Sequence, residues 1–347
     1  MKTAVRLSVL VCAAGLATSA MAQVTIPEIE ANETKATATL ASGLVANDML
    51  VGNSTGSSTV AGPASLDTWR VGTAPAPLGI YRWRLAITTT GTAGHVGSIR
   101  GLTQTAAAQA PWLPGQVVGT PTTTDTAFQT SSTLTTPTRF NQWYGFGKAE
   151  EIYYRVTGAA ATTADYKSTL ECQQITPVNI GSFQPGAITI STLGQGHTTD
   201  TDFWVYNSNF DAIRGYGNDD EAITAVSGVP GATGTTLQSV LNRNYAPGTY
   251  YIAMSNFALA NNQASPSDDD FRTGALLDFA NAVANSSTTV NLNMQFSVTD
   301  GVGPAVVVPN TKVGAYDVNW FCFTVVPAPS SLALLGLGGL ILGRRRR

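Results

Sequence analysis

The residues best suited to bind a ligand form an acidic cluster near the N-terminus. Glu28, Glu30, Asn32 and Glu33 place three carboxylates and one amide within six residues. If this segment is extended, Glu28, Glu30 and Asn32 point to the same face, because side chains alternate along a strand. Carboxylate and amide oxygens are the ligands that Ca²⁺ prefers, and carboxylates this close repel one another unless a cation or water screens them. The cluster therefore fits either a weak calcium site or a solvated acidic segment.

Catalytic constellations are poorly represented in the sequence. Gly52-Asn53-Ser54-Thr55-Gly56 matches the G-x-S-x-G pattern of hydrolases, but Ser, Thr, Gly and Pro follow it instead of a helix. The two histidines, His95 and His197, lie in glycine-flanked turns and are too few for histidine-rich zinc binding. Paired carboxylates for glycoside cleavage depend on a separation in space, so a secreted hydrolase remains a minor alternative. We predict that the protein is not an enzyme.

Composition favours a β protein and argues against a nucleic-acid partner. The 347 residues include 47 Thr, 34 Gly and 17 Pro but only five Lys, a combination typical of short strands joined by turns. Hydrophobic residues make up 43% of the chain, which is enough for a packed core. Without the six basic residues of its two terminal segments, the body has 13 basic and 22 acidic residues, a net charge of −9. Such a body is unsuited to neutralising phosphates, and we predict no nucleic-acid binding.

Residues 1–22 have the layout of a secretory signal peptide. A positively charged start precedes an apolar run at 7–16 and the small-x-small sequence Ala20-Met21-Ala22. Removal of this segment leaves two cysteines, Cys172 and Cys322. In an exported protein the pair could form a disulfide, or the two thiols could be buried separately.

The C-terminus has the layout of a sorting signal. The sequence Val326-Pro327-Ala328-Pro329-Ser330 precedes an apolar run at 332–342 and the basic stop Arg344, Arg345, Arg346 and Arg347. The apolar run has 11 residues, short of the ~20 that a spanning helix needs, and the arginines are held on the cytoplasmic side. This arrangement resembles the PEP-CTERM sorting signal of Gram-negative bacteria. It departs from that family where Val-Pro-Ala-Pro-Ser replaces the usual Pro-Glu-Pro, so the Glu is missing.

The PEP-CTERM resemblance implies a partner and a location. An exosortase-type enzyme would recognise residues 327–330 and remove the tail, so that the apolar segment, which we expect to be helical, associates with the membrane only transiently. The protein would then reach the cell surface or an exopolysaccharide matrix of a Gram-negative-type bacterium. The alternative is an ordinary C-terminal anchor that stays in the membrane.

Between the two terminal signals, strand-like segments recur with turn residues around them. Gly79–Ile87 alternates apolar and basic residues, and Tyr250–Met254 follows the turn sequence Pro247-Gly248-Thr249. We predict an all-β fold, a β-sandwich or jelly roll, with a long surface loop at 120–138. The expected core includes four aromatic residues: Trp69, Tyr153, Trp204 and Tyr251.

Two groups of segments resemble the bacterial pre-peptidase C-terminal (PPC) domain, a jelly-roll sandwich of secreted proteins. The first group is Glu28–Ala38 with Ser65–Val71; the second is Thr199–Tyr206, Gly217–Glu221 and Ala246–Ile252. They lie too far apart for one compact copy, so the chain holds either two tandem sandwiches or one with a large insertion. We predict four regions: a signal peptide at 1–22, sandwich domains at 23–176 and 177–326, and a sorting signal at 327–347.

The PPC resemblance also extends the acidic cluster. In calcium-binding PPC relatives the opening segment supplies ligands, together with an aspartate from an Asp-aromatic strand that Asp67 matches. The resemblance thus implies a Ca²⁺ site formed by Glu28, Glu30, Asn32, Glu33 and Asp67.

Two functional hypotheses follow from these patterns. One is a non-catalytic surface or matrix protein associated with exopolysaccharide. The other is a carbohydrate-binding protein, for which Trp143-Tyr144-Gly145-Phe146 could form a sugar-stacking platform. Aromatic residues at strand spacing more often belong to a core, so we favour the first. Buried rings would support the first hypothesis, and a row of exposed rings the second.

Overall fold

The computed structural model describes most of the chain between the two terminal signals. The described residues are 23–54, 65–89, 94–105, 120–134, 139–158, 164–220, 229, 233–263 and 274–327. The predicted signal peptide and the tail from Ala328 onward lie outside them.

The described residues form 24 strands and one short 3₁₀ turn, as the sequence predicts for an all-β protein. The first ten strands are β1 (Thr25–Pro27), β2 (Thr39–Leu44), β3 (Met49–Gly52), β4 (Leu66–Thr73), β5 (Ile80–Thr89), β6 (Val96–Thr105), β7 (Thr120–Thr130), β8 (Arg139–Gly145), β9 (Glu151–Thr157) and β10 (Tyr166–Ile175). The next six are β11 (Val178–Phe183), β12 (Gly186–Ser191), β13 (Thr201–Tyr206), β14 (Ala212–Asn218), β15 (Val240–Tyr245) and β16 (Gly248–Asn256). The last eight are β17 (Leu259–Ala260), β18 (Gly274–Leu276), β19 (Ala284–Asn285), β20 (Leu292–Asn293), β21 (Phe296–Thr299), β22 (Val306–Val308), β23 (Thr311–Lys312) and β24 (Asn319–Val325).

Two sheets built mainly from β1–β10 form the first sandwich. One sheet has the order β1-β3-β10-β5-β8; the other has the order β18-β6-β9-β4-β2, with β7 also paired to β6. Their facing sides share one hydrophobic core, which includes Trp69 and Trp143, both fully buried. Strand β5 shows how the sequence selects this arrangement. Its Trp83 and Leu85 enter the core while Arg82 and Arg84 face the other way, as strand alternation requires.

Two further sheets form the second sandwich. Their orders are β11-β24-β16-β13-β14 and β15-β12-β21-β22. A separate core lies between them and includes Phe203, Ile252 and Phe296, all fully buried. Strands β10 and β11, on either side of Thr176-Pro177, thus belong to different sandwiches, while the domain boundaries themselves remain a prediction.

Aromatic residues join the two sandwiches. Tyr144 of the first sandwich packs against Trp320 of the second, with ring centroids 5.9 Å apart, and a third hydrophobic cluster surrounds this contact. The chain between β16 and β20 also returns to the first sandwich. There β18 pairs with β6, and Val283 forms a backbone bridge to Tyr144. We call residues 257–285 the crossing segment.

One sequence-based expectation is wrong, and of the two alternatives left open for the cysteines the structure shows free thiols. Residues 120–130, predicted as part of a surface loop, form β7, because the β-branched threonines that suggested a loop also suit a strand, and β6 supplies a pairing edge. Cys172 and Cys322 are free thiols on β10 and β24, strands of different sheets, so the considered disulfide is not formed. Burial raises the pKa of the Cys172 thiol to about 11.

The predicted aromatic core is found in part. Trp69 and Trp204 are almost completely buried, whereas Tyr153 and Tyr251 are half-buried, Tyr153 against Phe279 and Tyr251 against the third hydrophobic cluster. Within the described ranges, no helix has the length and apolar character needed to cross a membrane.

Candidate metal centre

Backbone hydrogen bonds place the N-terminal acidic segment across one edge of the first sandwich. Strand β1 pairs in parallel with β3, and Glu28 N continues this contact by donating to Val51 O at 2.9 Å. A few residues later, Thr68 N on β4 donates to Asn32 O at 2.9 Å. The segment is therefore tied to β3 at one end and to β4 at the other, which brings its carboxylates next to Asp67.

Three of the five predicted ligands converge. Carboxylate oxygens of Glu28, Glu30 and Asp67 all lie within 4.8 Å of one another. Glu30 is exposed and Asp67 is 1% exposed, so the group runs from solvent into the protein. Three carboxylates at this separation can bind one cation together.

Several oxygen atoms around this group are buried and accept no hydrogen bond. Glu28 uses Oε1 to accept from Asn53 N at 2.9 Å, but its Oε2 is buried without a partner. Asp67 Oδ1 accepts from Ser65 Oγ at 2.8 Å, and Oδ2 has no partner. Asn32 is fully buried, with Oδ1 also unpartnered. Buried acceptors without partners are costly, and a bound cation would satisfy them.

The pKa values of the three acids are raised together. Burial raises the pKa of Glu28 to about 8, and the charges of Asp67 and Glu30 add to the effect. Burial likewise raises the pKa of Glu30, with the charges of Asp67 and Glu33 contributing. The pKa of Asp67 is raised mainly by burial. When all three carboxylates are ionised they repel one another, and a bound divalent cation would remove that repulsion.

The remaining two predicted ligands occupy different positions. Asn32 Nδ2 donates to Thr39 Oγ1 at 3.3 Å, which fixes the amide while leaving its oxygen available. Glu33 is half-buried and acts on the cluster through its charge, but it is not among the three converging carboxylates. Sequence reasoning therefore identified the residues of this region but not which of them meet.

Other residues that shape the site carry no sequence signal. A Cβ atom at Gly52 would collide with both the Glu28 carboxylate and the Tyr166 hydroxyl, so only glycine permits this close approach. The Tyr166 hydroxyl also accepts from Trp69 Nε1 at 3.0 Å, and the phenol is itself buried. In the sequence, Gly52 and Asn53 stand out only as members of the G-x-S-x-G pattern. That pattern predicts a hydrolase nucleophile and gives no indication of a metal site.

A second acidic group lies on the second sandwich. Carboxylate oxygens of Asp200, Asp219 and Asp220 also lie within 4.8 Å of one another. Burial and the charge of Asp220 raise the pKa of Asp200 to about 6, and burial raises that of Asp219 well above its usual range. Two of these aspartates fall in the segment at 217–221 that resembles the PPC domain, of which Glu221 lies outside the described residues.

The proposed sugar-stacking residues belong to the core. Trp143, Tyr144 and Phe146 are each at most 2% exposed, so their faces are not available to a saccharide in solution. The histidines are also occupied. His95 is buried against the Tyr166 ring, and His197 Nε2 contacts Gln295 O at 2.8 Å.

Comparison with known proteins identifies one region. Residues 325–347 match the PEP-CTERM protein-sorting motif. Val326, at the start of that motif, donates its N–H to Phe183 O at 3.0 Å, so the motif begins where β24 leaves the second sandwich. No curated protein matches the chain. The motif implies an exported bacterial protein that exosortase processes and sorts to the cell surface.

Proposed function

We propose that the protein is a non-catalytic, calcium-stabilised component of the bacterial cell surface or of its exopolysaccharide matrix. The sorting motif supports the surface location, and the two sandwiches form the body that precedes it. The observation that carries the calcium part is the convergence of Glu28, Glu30 and Asp67 around buried oxygens that accept no hydrogen bond.

The donor set of the site fits calcium better than other common metals. It consists of carboxylate and amide oxygens, whereas zinc sites in proteins rely on histidine and cysteine. Its members come from an irregular segment and a strand, which suits the variable geometry of Ca²⁺ more than the strict octahedron of Mg²⁺. When bound, the ion would hold the N-terminal segment against β4. Glu28, Glu30 and Asp67 would bind it, and Asn32 Oδ1, which is buried and accepts no hydrogen bond, would be available as a further ligand.

Burial of the aromatic residues supports a structural role over carbohydrate binding. Among the described aromatic side chains, Phe257 alone is a large exposed apolar group, at 51% exposure, and a single ring does not form a stacking row. Neither histidine is presented to solvent as a base, since His95 is buried and His197 is bound to backbone groups. These contacts favour a structural role at the cell surface.

Cell fractionation tests the location. The unaltered protein should be found in the envelope or matrix fraction, whereas deletion of residues 327–347 should release the body into the periplasm or medium. A variant in which Arg344–Arg347 are replaced by lysine keeps the charge and should still be retained. If mass spectrometry of the native protein shows an intact end at Arg347, processing of the tail is wrong. Release of full-length protein by polysaccharide digestion would support the matrix location, and retention would point to the cell surface alone.

A further inference from the structure

The second sandwich contains a buried lysine without an acidic partner. Lys312 on β23 is 0% exposed. Its Nζ donates to Asn256 Oδ1 at 2.7 Å, to Ser287 O at 2.8 Å and to Asn285 Oδ1 at 3.3 Å. Within the described ranges no carboxylate forms an ion pair with it. A buried ammonium held only by neutral oxygens is unusual, because desolvation of a charge is costly unless an opposite charge accompanies it.

Burial changes the chemistry of this amine. It lowers the pKa of Lys312 to about 8, with only the charge of Asp317 acting in the opposite direction. That carboxylate is itself shared with Arg82 and Arg84, at 3.7 and 3.9 Å. About a tenth of Lys312 is therefore uncharged at pH 7, and an uncharged, desolvated lysine is a nucleophile.

The amide of Asn256 is placed as the electrophile. The oxygen that accepts the 2.7 Å hydrogen bond from Nζ is bonded directly to Cγ, so a turn of the amine from this oxygen toward the amide face would bring Nζ to Cγ. The amide nitrogen of Asn256 donates to Ser287 Oγ at 2.8 Å. This hydroxyl thus touches the group that would leave and can pass a proton to it. Asn256 is 7% exposed, which limits competition from water.

We propose that Lys312 and Asn256 become joined by an intramolecular isopeptide bond. Uncharged Nζ adds to Cγ of Asn256, and the Nζ–Cγ bond forms. One proton moves from Nζ to the amide nitrogen, which is hydrogen-bonded to Ser287 Oγ, the Cγ–Nδ2 bond breaks, and ammonia leaves. The reaction needs no oxidant or cofactor. Its product is a neutral secondary amide, so the buried charge of Lys312 disappears.

The cross-link would close the chain around the crossing segment. Asn256 is the last residue of β16, and Lys312 lies 56 positions later, beyond the return of the chain to the second sandwich. Residues 257–311, which include the crossing segment, would then lie within one covalently closed loop. The two cysteines of the body are free and form no disulfide with each other. The isopeptide bond would therefore supply a covalent cross-link that these cysteines do not.

Mass spectrometry of the mature protein tests the proposal. Its mass should be lower than the sequence mass by one molecule of ammonia, and trypsin should fail to cleave after Lys312 because the amine is blocked. A branched peptide should join Lys312 to Asn256. Cyclisation of Gln23 after signal removal also releases ammonia, so the branched peptide is the deciding observation.

Variants distinguish the bond from a structural lysine. The Lys312→Arg and Asn256→Ala variants should each show no loss of ammonia from the protein mass. The matched control Asn285→Ala removes another amide that contacts Lys312 Nζ and should keep the cross-link. An ordinary peptide ending at Lys312, recovered in full from the wild-type protein, would overturn the proposal and leave a buried ammonium. A branched peptide to Asn285 would overturn the assignment of Asn256. Neither peptide measurement depends on a variant that folds.

Discussion

Replacement of Asp67 by asparagine should separate the calcium site from the fold around it. Asparagine retains an oxygen that can accept from Ser65 Oγ, so the local hydrogen bond at 2.8 Å is preserved. The change removes the most buried of the three converging carboxylates. We therefore expect loss of calcium binding without loss of the fold.

The magnitude follows from mass action. Extracellular calcium modules bind with dissociation constants of about 0.1–1 mM. At about 10 mM calcium, binding to the folded state alone then stabilises the wild type by about 1.4–2.7 kcal/mol. For a body of about 300 residues that corresponds to a rise in Tm of roughly 2–4 °C. Asp67→Asn should show almost no rise, while magnesium should act weakly on the wild type because it demands a stricter shell.

In a chelator, the effect of Asp67→Asn on stability has the opposite sign. The pKa of Asp67 is raised, mainly by burial, so its ionised form destabilises the folded protein when no cation is present. Above neutral pH, Asp67→Asn should therefore melt at a higher temperature than the wild type in EDTA and at a lower temperature in calcium. The assay is a thermal melt followed by circular dichroism at fixed protein concentration.

Asp211→Asn is the matched control. Asp211 pairs with Lys148 at 2.7 Å on the surface, away from the site, and its loss should leave the calcium shift intact. A full calcium shift in Asp67→Asn, or none in the wild type, would refute the site. The N-terminal segment would then be an acidic strap held by its backbone hydrogen bonds alone.

Two further predictions concern pH and packing. Because the folded-state pKa of Glu28 is raised from 4.5 to about 8, its contribution to stability is present below about pH 4.5 and is lost as the pH rises through 8. Chelated wild-type protein should lose stability over this range in denaturant titrations, and a Glu28→Gln variant that declines just as steeply would contradict the assignment. Trp204→Ala removes a ring that is 1% exposed between the sandwiches and should cost about 3–5 kcal/mol in urea unfolding; a loss below about 1 kcal/mol would show that the contact contributes little.

The alternation of apolar and polar residues made much of the fold predictable from the sequence. Prediction failed where a residue type suits more than one kind of structure. Strand β5 could be assigned because its apolar and basic residues alternate, and Trp69 and Trp204 could be assigned to the core because apolar neighbours flank them. Strand β7 could not, since threonine and proline suit a loop as well as an edge strand, and only the partner β6 decides between the two. Tyr153 and Tyr251 were misjudged as core because aromatic residues in a row must face opposite sides of the sheet.

The local sequence identifies some residues of the candidate metal site but not the others. Glu28 and Glu30 are neighbours in the chain, so their charge density is visible directly. Asp67 entered through resemblance to another family, because nothing local connects it with residues almost forty positions earlier. The contributions of Gly52 and Tyr166 depend on β10 pairing with β3 in a register that places residue 166 opposite residue 52. No local pattern encodes that register.

The crossing segment sets an order for assembly during export. A chain that crosses a membrane from its N-terminus delivers β6 long before β18, its partner at the far end of that strand. The first sandwich therefore stays open along this edge until about residue 285 has been translocated, when only some forty residues remain before the sorting motif. Both sandwiches close in the same late interval. A fragment that ends at Thr176 would keep the edge exposed permanently, so the two halves of the chain form one unit of maturation.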